Sequence, residues 1–263
     1  MDYNVDFIKK EDLKEHIENT IIKYQDNLKS WDLIRFNHNL VDPIKMTFDK
    51  NVYNIKWEDL IESEIYRQRD KSNNNAIGYF HQNIFKYIEG CKVPKVGFDV
   101  IYEPGDKVDI CKDLSVSRVK IEMKNKHNTM NSSSSDRIYT KLQAELLEDD
   151  DCVTMLVEIL AKKSQNIPWM KTIDNKRYNN KRLRRVSIDK FYELVTGDSL
   201  AFYKLCKNLP NLINEVISKS DKINKPNDIV INQLKKLSND NNKDLGELLY
   251  ILAFGGYNGF EKK

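Results

Sequence analysis

The sequence predicts a mixed α/β sheet with helices on both faces, framed by helical N- and C-terminal parts. Three observations lead to this class. Apolar residues recur at helical spacing through the first 90 residues, strand-like patterning replaces this spacing between residues 93 and 124, and residues 153–160 form a nearly continuous apolar run. Such a run is typical of a central strand covered on both faces, so helices are required on either side of the sheet.

The N-terminal part has three groups of apolar residues at helical spacing, which predict three helices. The groups are Ile8–Ile22, Leu33–Leu40 and Trp57–Ile65. A further helix is predicted from Ala76 to Ile88, because its apolar residues share one face and Gly90, a usual helix terminator, follows it.

The central part predicts a meander of two or three antiparallel strands, then a helix and a strand. The helix begins among Ser132–Ser135, which offer N-caps, and buries Ile138, Leu142 and Leu146. Two more strands are predicted at Ile167–Ile173 and Arg182–Ile188, and the chain from Asp189 onwards is predicted to be helical. The meander strands are Phe98–Tyr102, Val108–Cys111 and Val119–Lys124.

Length and composition favour one domain, residues 1–263, with a helical part at 1–72, an α/β core at 73–196 and a helical part at 197–263. No window is apolar enough to span a membrane and no signal peptide is apparent, so we expect a soluble, cytoplasmic protein. The four cysteines lie far apart, which argues against a zinc site or a disulfide framework. The net charge of +3 by itself argues weakly against a nucleic-acid partner.

The strand Val119–Lys124 carries the residues best suited to chemistry. Alternation places Lys120, Glu122 and Lys124 on one face, so Glu122 and Lys124 are neighbours. An aspartate on an adjacent strand would complete a carboxylate pair able to hold Mg²⁺, next to a lysine able to orient an attacking water. Asp99 meets this requirement if residues 99–104 pair with 117–122, and Asp109 meets it through a shorter hairpin. Strand geometry leaves both open.

Two further regions have the composition of a binding surface. Asn125–Asn131 and the four serines after it form a polar loop between a strand and a helix, where α/β folds meet their substrates. Residues 162–190 contain ten basic and two acidic residues, a net charge of +8, interleaved with amide side chains that suit a DNA groove. A second polar cluster, Arg67–Asn75, strengthens this interpretation.

A set of segments spread along the chain carries a resemblance to a known family: Arg67–Asn75, Ile77–Gln82, Gly97–Val100, Glu122–Ser133, Ala161–Ile167, Arg184–Tyr192 and Leu252–Phe260. These segments resemble type II restriction endonucleases of the GGNCC-specific Eco47II group, within the PD-(D/E)xK nuclease superfamily. The resemblance covers nearly the whole chain, and the long motif after Glu122 is far more specific than a bare Glu-x-Lys. The family's proline before the aspartate is absent, because Phe98 precedes Asp99.

The resemblance implies Mg²⁺-dependent hydrolysis of double-stranded DNA at a short palindromic site. It assigns Asp99 and Glu122 as the metal-binding carboxylates, and Lys124 as the partner of the attacking water. It also implies a homodimer, with the companion methyltransferase encoded separately. The expected DNA contacts are Lys126, His127, Asn128, Arg184 and Arg185. A junction-resolvase-like nuclease on the same core and a non-catalytic DNA-binding protein are the alternatives.

Overall fold

The computed structural model describes residues 3–126, 131–219 and 228–254. The chain divides into two compact units, one formed by residues 1–20 and 77–221 and the other by residues 21–76 and 222–263. The assignment of the whole chain to one domain, with internal boundaries after residues 72 and 196, stays a prediction.

The first unit contains the sheet. Its strands are β1 (Cys91–Lys92), β2 (Val100–Tyr102), β3 (Val108–Cys111), β4 (Leu114–Val116), β5 (Arg118–Lys126), β6 (Cys152–Leu160), β7 (Asn166–Pro168), β8 (Lys171–Ile173), β9 (Lys176–Tyr178) and β10 (Leu183–Ser187). The helices of the chain are α1 (Lys10–Leu28), α2 (Leu33–His38), α3 (Pro43–Tyr53), α4 (Trp57–Asn83), α5 (Ser132–Glu148), α6 (Ile188–Thr196), α7 (Ala201–Ile217), α8 (Val230–Asn241) and α9 (Leu245–Phe254), with a 3-10 helix at Ile84–Tyr87.

Six strands form one mixed sheet in the order β1-β2-β5-β6-β10-β7. The pairs β5–β6 and β6–β10 are parallel, whereas β1–β2, β2–β5 and β10–β7 are antiparallel. The central strand β6 is buried along all of its length except Leu160, as its apolar run predicts. The predicted fold class, a mixed α/β sheet with flanking helices, is confirmed.

Helix α5 packs on the sheet through one apolar face. Tyr139, Leu142 and Leu146 join Leu156 of β6 in a buried cluster, and the predicted Ile138 is only partly buried beside it. The N-cap is Asn131, whose side chain accepts a hydrogen bond from the amide of Ser134 at 2.8 Å. The sequence predicts the cap among the serines that follow Asn131, whose hydroxyl oxygens can accept the same capping hydrogen bond.

The single strand predicted at Ile167–Ile173 is two strands. Pro168 is the last residue of β7, an edge strand whose partner in the sheet is β10 and where a residue without an N–H is tolerated. The chain then enters a separate hairpin of β8 and β9, in which Asp174 and Asn175 both have positive φ, 49° and 60°. Two such residues make the tight turn that matches strand twist.

The second unit is helical, and here the sequence prediction missed one helix and divided another. Helix α3 was overlooked, although Asp42 caps it by accepting bonds from the amides of Ile44 and Lys45, and Pro43 occupies its first turn. Helix α4 runs without a break from Trp57 to Asn83, so the polar cluster Arg67–Asn75 lies inside a helix. Its Gln68 is only 2% exposed, which ties the helix into the core of this unit.

Residues from both halves of the sequence form the core of the second unit. The cluster consists of Trp31, Phe36, Val41, Met46, Leu60, Ile61, Ile65, Val230, Leu234 and Leu249. The N-terminal and C-terminal helical parts thus share one core, which no local pattern indicates. Among the described residues, no helix is long and apolar enough to cross a membrane.

Candidate active site

Strand β5 alternates as predicted. Val119 and Ile121 are fully buried and Met123 is 4% exposed, while Glu122 and Lys124 are half-buried on the opposite face. This alternation confirms that Lys120, Glu122 and Lys124 share a face, because successive side chains of a strand point to opposite sides.

The register of β2 against β5 distinguishes between the two candidate aspartates. Val100 pairs with Ile121, Ile101 with Lys120 and Tyr102 with Val119. One residue earlier, the amide of Asp99 donates to the carbonyl of Ile121 at 2.9 Å. Asp99 therefore lies directly beside Glu122, in the first of the two registers that the sequence allows.

Asp109 lies outside this strand pair. It belongs to β3, which pairs with β4 in a separate two-stranded sheet. Its carboxylate accepts a hydrogen bond from the hydroxyl of Ser115. Residues 105–116 are thus the hairpin extension that the Asp99 register requires.

Each carboxylate at this site has defined partners. Asp99 Oδ2 accepts a hydrogen bond from the amide of Met123 at 2.7 Å. Glu122 Oε1 accepts one from Lys124 Nζ at 3.0 Å, and Glu122 Oε2 accepts one from Lys141 Nζ at 2.7 Å. The structure thus brings Asp99, Glu122 and Lys124 together and adds a second lysine.

The two carboxylates differ in acidity. Burial raises the pKa of Asp99 above its usual value, and the charge of Glu122 raises it further, against the opposing effect of the Met123 amide. Burial also acts to raise the pKa of Glu122, but the hydrogen bond from Lys141 and the charge of Lys124 outweigh it, and this pKa is lowered. The surroundings thus shift the pKa values of the two carboxylates in opposite directions.

Sequence reasoning missed Lys141, although a signal for it exists. Lys120 of β5 pairs with Glu145 of α5, and Glu122 pairs with Lys141. Two residues of a strand advance by about 6.6 Å and four residues of a helix by about 6 Å, so the two pairs match in spacing. A strand with Lys-x-Glu, followed by a helix whose Lys and Glu are four residues apart, therefore predicts two ion pairs between the strand and the helix.

The site suits a divalent cation of the Mg²⁺ type. Asp99 and Glu122 offer only carboxylate oxygens on neighbouring strands, and mutual repulsion between them contributes to the raised pKa of Asp99. Within residues 3–126, 131–219 and 228–254, no group of three or more metal-ligating side chains occurs. Two carboxylates nevertheless fit Mg²⁺, which is usually held by one or two of them together with water and substrate phosphates.

Three of the predicted DNA contacts follow Lys124. Lys126 is the last residue of β5 and pairs in register with Leu160. His127 and Asn128 lie outside the described residues, so the roles assigned to this loop stay predictions.

Arg184 and Arg185 are engaged inside the protein. Arg184 is 3% exposed and donates to the side-chain and backbone oxygens of Asn166 at 2.5 and 2.7 Å. Arg185 forms two hydrogen bonds, of 2.8 and 2.5 Å, with the carboxylate of Glu158, which is fully buried. These arrangements are typical of structural arginines, and the DNA contacts expected of Arg184 and Arg185 stay predictions.

Other residues of the basic segment remain exposed. The exposed cations are Lys162, Lys163, Lys176, Arg177 and Lys181. In the second unit, Arg69 of the Arg67–Asn75 cluster forms an ion pair with Asp228, in which Nη1 lies 2.7 Å from Oδ2. Arg69 also donates to the carbonyl of Asn27 at 3.0 Å. Part of that cluster therefore stabilises the helical unit.

The chain matches a known protein family over most of its length. The family model described as Eco47II restriction endonuclease matches residues 5–218. The chain belongs to the Eco47II restriction endonuclease family. The matched residues include the strand pair with Asp99 and Glu122, the helix with Lys141 and the basic segment. The mixed sheet with flanking helices agrees with a restriction-endonuclease-like fold.

Two relatives support the assignment. The chain is 32% identical over 219 residues to the type II restriction enzyme Sau96I of Staphylococcus aureus, with 80% of each chain covered. It is 27% identical over 224 residues to the type II restriction enzyme Eco47II of Escherichia coli, with 81% of this chain and 88% of the relative covered. Type II restriction enzymes are site-specific deoxyribonucleases, and this member of the Eco47II family is an enzyme of that class.

Proposed function

We propose that this restriction endonuclease hydrolyses phosphodiester bonds of double-stranded DNA at a short palindromic site, GGNCC, with Mg²⁺ as its cofactor. The observation that carries the chemistry is the placement of Asp99 beside Glu122, with Lys124 Nζ 3.0 Å from Glu122 Oε1. The target sequence follows from the resemblance to the Eco47II group.

The side chains divide the work as follows. Asp99 and Glu122 would hold Mg²⁺, which supplies positive charge against the charge that develops on the phosphate and acidifies a bound water. Lys124 orients the attacking water for in-line attack. The hydrogen bond from the Met123 amide fixes the Asp99 carboxylate, so this ligand needs little reorganisation.

A palindromic target read by one kind of chain implies a two-fold symmetric dimer, in which each subunit cuts one strand. Sedimentation velocity of the protein with a short GGNCC duplex should give the mass of two chains per duplex. One chain per duplex at saturating protein would contradict the dimer.

The test of the function is digestion of a long natural DNA in Mg²⁺ and in EDTA, with end sequencing of the products. We expect discrete bands whose ends map to GGNCC sites in the presence of Mg²⁺, and no cleavage in EDTA. Cleavage restricted to a branched substrate would indicate a resolvase-like nuclease, and DNA binding that is unchanged in EDTA without any cleavage would indicate a non-catalytic binding protein.

The variants Glu122→Ala and Lys124→Ala should lower the cleavage rate by roughly 10²- to 10⁴-fold, with binding largely retained. Lys120→Ala is the matched control, because Lys120 shares the face of β5 but pairs with Glu145 instead. Near-normal cleavage by either active-site variant would refute their assigned roles.

A further inference from the structure

In the described part of the chain, the ammonium group of Lys141 has three partners, and one of them is a carboxylate. It donates to Glu122 Oε2 and to the carbonyl oxygen of Gly97, each at 2.7 Å. It also lies 4.7 Å from the centroid of the Phe98 ring, which is a favourable position for a cation. Gly97 and Phe98 directly precede Asp99. Lys141 is therefore anchored next to both carboxylates by groups that do not depend on Glu122.

Both oxygens of Glu122 are engaged by lysines. Lys124 takes Oε1 at 3.0 Å and Lys141 takes Oε2 at 2.7 Å. A divalent cation that binds Glu122 either replaces one of these hydrogen bonds or shares a carboxylate oxygen with a lysine ammonium, and repulsion between the two cations then weakens its binding. Of the two lysines, Lys141 can lose its bond more easily, because the Gly97 carbonyl and the Phe98 ring continue to hold it.

We propose that Lys141 is a built-in positive charge of the active site, which competes with the divalent cation for Glu122 Oε2 and thereby limits how tightly the enzyme binds that cation. This inference rests on the proposed function. Lys141 acts here as a positioning residue through Glu122. Its fixed charge keeps the carboxylate pair compensated and correctly placed until a cation arrives with the DNA phosphates.

The test is the binding of Mn²⁺, measured by electron paramagnetic resonance on full-length protein without DNA. Lys141→Met should tighten Mn²⁺ binding on the order of tenfold, because a unit charge in contact with a divalent ion has an effect of that size even in water. Lys141→Arg keeps the charge and should bind Mn²⁺ as the native protein does. Circular dichroism establishes that each variant is folded.

Lys120→Met is the matched control. Lys120 joins β5 to α5 through Glu145, as Lys141 does through Glu122, and its Nζ lies 5.8 Å from the same Phe98 ring. It makes no hydrogen bond to either carboxylate of the site in the described part of the chain. Its loss should leave Mn²⁺ affinity unchanged, so a change seen in both variants would reflect a loosened β5–α5 contact and count against the proposal.

The outcomes distinguish a failure of the competition by Lys141 from a failure of the proposed cation site. Mn²⁺ binding that Lys141→Met weakens or leaves unchanged would overturn the competition and leave the nuclease function intact. Absence of Mn²⁺ binding by the native protein, together with cleavage that persists in EDTA, would overturn the cation site itself and with it this inference.

Discussion

The charged side chains of two regions in the first unit have different kinds of partners. Around Asp99 and Glu122, charged side chains from the residue before β2, from β5 and from α5 form one half-buried cluster. In the basic segment, the two adjacent arginines of β10 form hydrogen bonds within the protein, Arg184 with Asn166 and Arg185 with Glu158. A net charge of +8 along residues 162–190 is thus a poor guide to the charge available for DNA.

The difference lies in how far the charged side chains of each strand reach solvent. Strand β5 lies between β2 and β6, and on its charged face the side chains of Lys124 and of Lys141 from α5 are 33% and 40% exposed. Strand β10 lies between β6 and β7, but Arg184 is only 3% exposed and the side chain of Arg185 22%, so their polar groups are satisfied within the protein. Charge that must stay buried is paired for stability, whereas charge at a partly open position can serve chemistry.

The largest expected effect is on stability. Arg185→Met leaves the buried carboxylate of Glu158 without its arginine and should lower the free energy of unfolding by about 3–5 kcal/mol, measured by urea denaturation. The double variant Arg185→Met with Glu158→Leu should recover most of the loss. If Arg185→Met is instead as stable as the native protein and cleaves with relaxed specificity, Arg185 contacts bases. The charges of the basic segment would then serve function, as those around Glu122 do.

An intermediate effect concerns pH. The pKa of folded Asp99 is raised, so its ionised form costs stability at neutral pH, and Asp99→Asn should be more stable than the native protein at pH 7 without metal. The gain should shrink as the pH falls through the raised pKa towards the ordinary value of about 3.9. Thermal unfolding of both proteins from about pH 3 to about pH 8 measures this difference in stability.

Glu122→Gln is the matched variant of opposite sign. The pKa of folded Glu122 is lowered, so its ionised form stabilises the fold, and the variant should be less stable at pH 7. This deficit should disappear as the pH falls through the lowered pKa. Equal responses of the two variants would show that the carboxylates do not differ in the way their surroundings imply.

The smallest effect tests the exposed part of the basic segment. Lys176 lies on the exposed β8–β9 hairpin, and Lys176→Ala should reduce the slope of log affinity against log salt by about 0.9 if it contacts one phosphate. Lys112, exposed in the β3–β4 hairpin, is the control. If Arg184→Ala reduces this slope and Lys176→Ala leaves it unchanged, the buried cation contacts DNA and the exposed one does not, which is the opposite of our expectation.

Sequence patterns were sufficient wherever a local period or a local motif carried the information. The alternation of Val119–Lys124, the apolar run of β6 and the stripe of α5 follow from the two-residue and 3.6-residue periods of strands and helices. The same patterns placed Glu122 beside Lys124. They also gave the register in which Asp99 meets Glu122, as one of two possibilities. The motif after Glu122 identified the family.

The tertiary structure decided everything that depends on partners distant in the chain. It placed Asp99 rather than Asp109 beside Glu122, brought Lys141 to Glu122, paired Arg184 and Arg185 with groups of the protein, and joined helices from the N- and C-terminal parts into one core. The physical reason is that hydrogen bonds and ion pairs depend on distance in space, whereas the sequence states only distance along the chain. A charged residue has the same letter whether its partner is a buried glutamate, a carbonyl oxygen or the DNA.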